Sequence, residues 1–111
     1  MRNKNNSRQQ ETQVYIPPFT PQTVSVAECT RIAYTYSTFD IRLTCGRMEK
    51  RAAWLMNLAH GQRTANNAEV RAGGVENYWK ARRMLAEACD LRTMAAWLDA
   101  HIEALNALMV A

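Results

Sequence analysis

Arg47, Lys50 and Arg51 share one side of a helical stretch with Trp54. Cations grouped around an aromatic can hold phosphate groups and stack a base. The plainer reading is a solvated face whose tryptophan packs on another helix. Arg63 and Arg71 extend the same basic region. The candidate phosphate contacts are therefore Arg47, Lys50, Arg51, Arg63 and Arg71. A second group is Tyr78, Trp79 and Arg82, on one arc with Val75, Leu85 and Cys89. A charged side chain among aromatics either runs out to water along its aliphatic stem or pairs with a carboxylate across an interface. Arg, Tyr and Trp are also the residues that dominate protein–protein hot spots. With Trp54, these three form the candidate partner-binding set. Lys80 and Arg83 stand four residues from Glu76 and Glu87, which predicts two ordinary surface ion pairs.

Cys29, Cys45, Cys89, His60 and His101 lack the short paired spacings of a structural zinc site. No metal or other cofactor is expected. Three widely spaced cysteines with apolar neighbours read as reduced, buried hydrophobes rather than as a disulfide framework. His60 falls at a helix C-terminus, and His101 stands beside Trp97. The sequence contains no G-x-S-x-G, no Gly-rich phosphate loop and no H-E-x-x-H. It reads as a chain that binds rather than catalyses. A helix-turn-helix centred on Gly74 would need an apolar residue six positions on, and that residue is Lys80, so the DNA-reading motif is weakly matched.

The elements that must carry these residues are helices. Ala81, Met84, Ala88, Leu91, Ala95, Leu98, Ile102, Leu105 and Met109 follow one another by steps of three and four. That rhythm places all nine on one stripe of a helix, the kind of seam that packs on another helix. Ile41, Cys45, Met48, Ala52, Leu55 and Ala59 repeat it over residues 38–60. Ser25 with Glu28 predicts a capping box at the start of a first helix, and Ser37 with Asp40 predicts a second cap. Phe39, Ile41, Leu43 and Cys45 also alternate with polar residues, so a short strand at 30–45 is the competing reading. Gly61 is the expected helix stop, residues 62–74 read as a loop with room for one helical turn, closed by Gly73-Gly74, and helix resumes at Val75. Asp90 either caps a new helix, giving a hairpin of 75–89 and 91–109, or lies inside one long helix. Leu91, Met94, Leu98, Ile102, Leu105 and Met109 form an apolar face at the end of the chain. Ala96, Ala100, Ala104 and Ala107 form a small-residue ridge opposite, so Leu98, Ile102 and Leu105 are the candidate oligomer interface.

The fold expected is all-α: a small bundle of three to five helices over residues 23–111, with residues 1–22 an extended arm. Residues 1–13 are polar and read as disordered. Pro17, Pro18 and Pro21 keep the next stretch extended, and Val14, Tyr15, Ile16 and Phe19 call for docking on the chain's own body or on a partner. With 4 Gly and 3 Pro among 111 residues and 48% hydrophobic content, many short strands are disfavoured. No apolar run approaches the roughly 20 residues of a membrane span, and the polar start lacks a secretory signal, so a cytoplasmic protein is expected. Net charge is +4, with +5 over residues 23–83 and −3 over 84–111. The basic middle suits an acidic or polyanionic partner, or the acidic end of a second copy. The function expected is a protein-binding regulator or inhibitor of a larger bacterial machine. Its short length and polar start fit the accessory proteins of phages and plasmids. The alternative is a nucleic-acid-binding regulator, and self-association is expected in either case.

Overall fold

A computed structural model describes residues 15–110 and, within them, the side chains of 15–108. These residues are all-helical, in four helices: α1 (Val26–Thr35), α2 (Thr38–Arg63), α3 (Ala68–Ala100) and α4 (Ile102–Val110). No strand occurs among them, so the alternation over 30–45 does not make one. The helical register of Ile41, Cys45, Ala52, Leu55 and Ala59 wins because it buries all five against α3. Both predicted starts are present: Ser25 accepts from the amide of Glu28, and Ser37 from that of Asp40, each at 3.1 Å. Glu28 turns to Arg31 instead of closing the box. The polar start, residues 1–13, and Val14 lie outside the described residues.

α2 and α3 form an antiparallel hairpin that carries most of the packing. Thr38 and Arg42 at the start of α2 meet Asp99 near the end of α3. Cys45 donates through Sγ to the carbonyl of Ala88 at 3.5 Å. Gln62, at the end of α2, accepts from Asn77. Small residues occupy every seventh place along both sides of this seam: Cys45, Ala52 and Ala59 on α2; Gly74, Ala81, Ala88 and Ala95 on α3. All seven are buried. A seven-residue repeat keeps a helix seam facing its partner, and side chains this small let the two backbones approach closely. Larger residues fill the flanks. Ile41, Leu91 and Met94 join Cys29 of α1 in one core cluster, and Leu55 closes a second with Ala52 and Ala81.

Three boundaries depart from expectation. Gly61 does not stop α2, which runs to Arg63, and no described residue adopts a positive φ of the kind a terminal glycine would supply. Residues 62–74 are not a loop. Only 64–67 connect the helices, and Asn67 caps α3 by accepting from the amides of Glu69 and Val70. Helix runs straight through Gly73-Gly74, although each glycine costs roughly 1 kcal/mol in a helix interior. Gly74 is there for proximity: a Cβ at this position would stand 2.8 Å from Cβ of Gln62 and 3.0 Å from the backbone nitrogen of Arg63.

A direct prediction follows from the two glycines. Gly74→Ala gains propensity but must push α2 and α3 apart at the turn, a cost of about 1–3 kcal/mol. Its urea midpoint should fall. Gly61→Ala meets nothing within 4 Å and should raise the midpoint, by up to about 1 kcal/mol of stability. Equal midpoints for the two variants would remove the close-approach argument.

α3 also passes through Asp90 unbroken, and the break falls at His101. There the imidazole Nδ1–H donates to the carbonyl of Trp97 at 2.7 Å, and the two rings meet at a 40° tilt with centres 5.1 Å apart. α4 restarts beyond, with the amide of Leu105 bonded to the His101 carbonyl. No helix among the described residues is long and apolar enough to cross a membrane.

Candidate interaction surfaces

The hairpin has two backs, and they hold different residues. Trp54 and Trp79 each stand two residues from a seam alanine, Ala52 and Ala81, and so about 200° round their helices. Each therefore points away from the seam, one behind α2 and the other behind α3. Trp54 is 53% exposed and Trp79 is 56% exposed. The sequence-predicted partner set is thus divided: Tyr78, Trp79 and Arg82 stand together, and Trp54 stands elsewhere.

Several contacts link the members of the Tyr78 group. Arg82 donates to the Tyr78 hydroxyl at 3.0 Å, and its guanidinium lies 5.8 Å from the Tyr78 ring centre. Arg63 reaches across from α2 to lie 5.3 Å from the same ring. Trp79 meets Tyr78 edge-on, with ring centres 5.3 Å apart. Arg82 is exposed, and its hydrogen bond within the chain is to Tyr78 of its own helix. Arg63 is one of the five candidate phosphate contacts. Its place in this aromatic cluster shows only once α2 continues past Gly61.

The back of α2 carries a second exposed row. Phe39, Leu43, Trp54 and Leu58 are its apolar members, and Arg47 and Lys50 stand between them. Arg51 lies over the Trp54 ring at 4.5 Å. The five candidate phosphate contacts do not converge. Arg47 and Lys50 are behind α2, Arg63 is on Tyr78, and Arg71 donates to the carbonyls of Ala65 and Asn66, holding the α2–α3 loop. Arg51 alone faces other cations. It lines a side groove with Lys80, Arg83, Met84 and Glu87. The predicted pairs Glu76–Lys80 and Arg83–Glu87 do not form. The ion pairs among the described residues are Arg31–Glu28, Arg42–Asp99 and Arg92–Glu49. Two of these clamp α2 to α3, a use of charge between helices that spacing within one helix cannot reveal.

Behind α3, toward its C-terminus, the arm is docked on the chain's own body. The Trp97 indole N–H donates to the Pro17 carbonyl at 2.8 Å, and Phe19 packs against the Trp97 ring. Asp90, 7% exposed, accepts from the amides of Gln22, Thr23 and Val24 at 2.6–3.1 Å. Burial pushes its carboxyl upward, but the Val24, Gln22 and Thr23 amides pull it down further, and the net lies below the ordinary carboxylate value. Asp90 does cap backbone, but that of the arm rather than of its own helix. Cys29 and Cys45 are buried as expected, while Cys89 is exposed beside the arm. Burial raises the thiols of Cys29 and Cys45. His60 is exposed at the far end of α2 from His101. Of the candidate oligomer interface, Leu98 packs against the chain's own core, Leu105 is half-buried and Ile102 is half exposed.

Geometry alone must carry the functional reading. No family model, no curated protein and no solved structure matches this chain.

Proposed function

We propose that the chain is a non-catalytic, cytoplasmic protein-binding regulator or inhibitor of a larger bacterial machine, of the kind phages and plasmids encode. It would act through helix faces and as a homo-oligomer. The observation that carries this reading is the Tyr78 cluster. Two guanidinium groups from different helices and an edge-on tryptophan hold Tyr78 in place, and more than half of Trp79 remains open to a partner. Binding costs less when rotamer-rich side chains are already ordered, and Trp, Tyr and Arg are the residues from which interface hot spots are made.

The test is recovery of a bound protein from nuclease-treated bacterial lysate at moderate salt, with wild type, Trp79→Ala and Arg82→Ala as baits. Both side chains are exposed, so both variants should keep their helical circular dichroism. Truncating a hot-spot residue costs about 2 kcal/mol or more, and recovery should fall at least roughly tenfold. Unchanged recovery by both folded variants would end this reading.

A second reading rests on the groove where Arg51, Lys80 and Arg83 gather with only Glu87 opposing them. It supports a nucleic-acid-binding regulator. Recovery would then be of nucleic acid alone and would fall steeply with salt, by a log–log slope of about 0.9 for each phosphate contacted.

A further inference from the structure

We infer that α4, with the end of the bundle beside it, is the surface that binds a second copy of this chain. This deepens the self-association proposed above and is independent of the Trp79 site. Internal geometry supplies the first argument. α2 begins at Thr38, whose hydroxyl donates to Asp99 at 2.9 Å. α2 can therefore cover α3 only up to about Asp99, and α4 extends past it. Yet the stripe that forms the internal seam does not stop there. Leu98, Ile102 and Leu105 continue it by steps of four and three. Inside the chain this stripe is covered by an antiparallel helix. Beyond Asp99 no helix among the described residues of the same copy covers it.

The surroundings point the same way. Of the eight α4 residues before Val110, only Glu103 and Asn106 are polar. Ile102 is 50% exposed and Leu108 is 58% exposed, while Leu98 and Leu105 are half-buried. At the same end, where α1 turns into α2, Tyr34 is 87%, Tyr36 49% and Phe39 70% exposed. Together these three aromatics expose the equivalent of about two whole side chains, roughly 300–500 Å² at the usual aromatic area. Two copies double that, and two α4 helices bring the total toward the ~1,200 Å² at which specific interfaces begin. The chain's own N-terminus is poorly suited to the task. The arm does run past Trp97 toward α4, but residues 1–13 contain one apolar side chain, Met1. A second copy placed end to end, its α4 antiparallel to the first, meets apolar surface with apolar surface and prolongs the seam across the two-fold axis.

Sedimentation of the full chain over a concentration series tests this. Wild type should approach twice 12.7 kDa. Ile102→Asp with Leu105→Asp should weaken association roughly tenfold or more. Tyr34→Lys with Phe39→Glu should do the same without touching α4, which guards against simple loss of that helix. Trp79→Ala should leave association unchanged. Normal association by both end variants would overturn the inference while leaving self-association standing. A monomeric wild type would overturn both. In that case, α4 amides protected from hydrogen exchange would identify residues 1–14 as the cover instead. Neither result bears on partner recovery through Trp79.

Discussion

Ala88→Leu should destabilise the chain by about 3 kcal/mol, the upper part of the range for overpacking a filled core. Ala88 is fully buried, and its carbonyl lies 3.5 Å from Sγ of Cys45. The added carbons have no gap to enter. α2 and α3 must separate, and because small residues recur at every seventh position, a local separation also weakens the contacts at Ala52, Ala81 and Ala95. The control is Ala96→Leu, on the same helix but exposed. Alanine and leucine differ little in helix propensity, so this variant should stay within about 0.5 kcal/mol of wild type. Urea unfolding followed by circular dichroism measures both. Matching midpoints for Ala88→Leu and wild type would mean that the seam is loose and that the small residues serve helix propensity alone.

The seam was the most legible part of the chain. Its apolar stripes on α2 and α3 follow from spacing alone, because steps of three and four kept up over that length make a seam suited to another helix. The finer point, that small residues recur at every seventh place on both helices, was also in the sequence and was masked by the larger residues between them. Gly73-Gly74 was misleading for a related reason. Glycine is a helix breaker by propensity, but at Gly74 tertiary packing outweighs propensity, since there only a residue without Cβ fits beside Gln62 and Arg63. Asn67 could have been found as a cap, with Glu69 in the first turn, had the polar run around it not read as loop.

The candidate surfaces were less legible because they depend on which helix faces which. Trp54 and Trp79 look alike in sequence and end on opposite sides of the hairpin, since each is offset by two residues from its own seam. Arg63 joins Tyr78 only through the antiparallel pairing. Arg71 is taken up by loop carbonyls that no spacing rule anticipates. The ion pairs that do form across the hairpin, Arg42–Asp99 and Arg92–Glu49, join residues more than forty positions apart.

Asp90 shows the same limit and carries the other large expected effect. Asp90→Ala should cost about 2–4 kcal/mol, because hydrogen bonds to a charged acceptor are worth more than neutral ones and three amides lose theirs together. The loss should be local before it is global. Asp90 fixes Gln22, Thr23 and Val24 immediately ahead of the Ser25 cap, so it sets where α1 begins and holds Phe19 and Val24 against the core. Released, the arm and α1 can detach while the α2–α3 hairpin stays helical, as a separate unit of opening. Hydrogen exchange at the amides of Thr23 and Val24 should accelerate far more than at Ala81. Acid should have the same effect on wild type. The folded carboxyl lies below its ordinary value, so its contribution is complete above the unfolded value of about 3.9 and disappears as the pH falls through the lower, folded value. The stability difference between wild type and Asp90→Asn, which cancels the other carboxylates, should hold steady from neutral pH down to about pH 5 and then close. A difference independent of pH down to the acid transition would mean that Asp90 acts by shape, and that the arm is held by Trp97 and Phe19 alone.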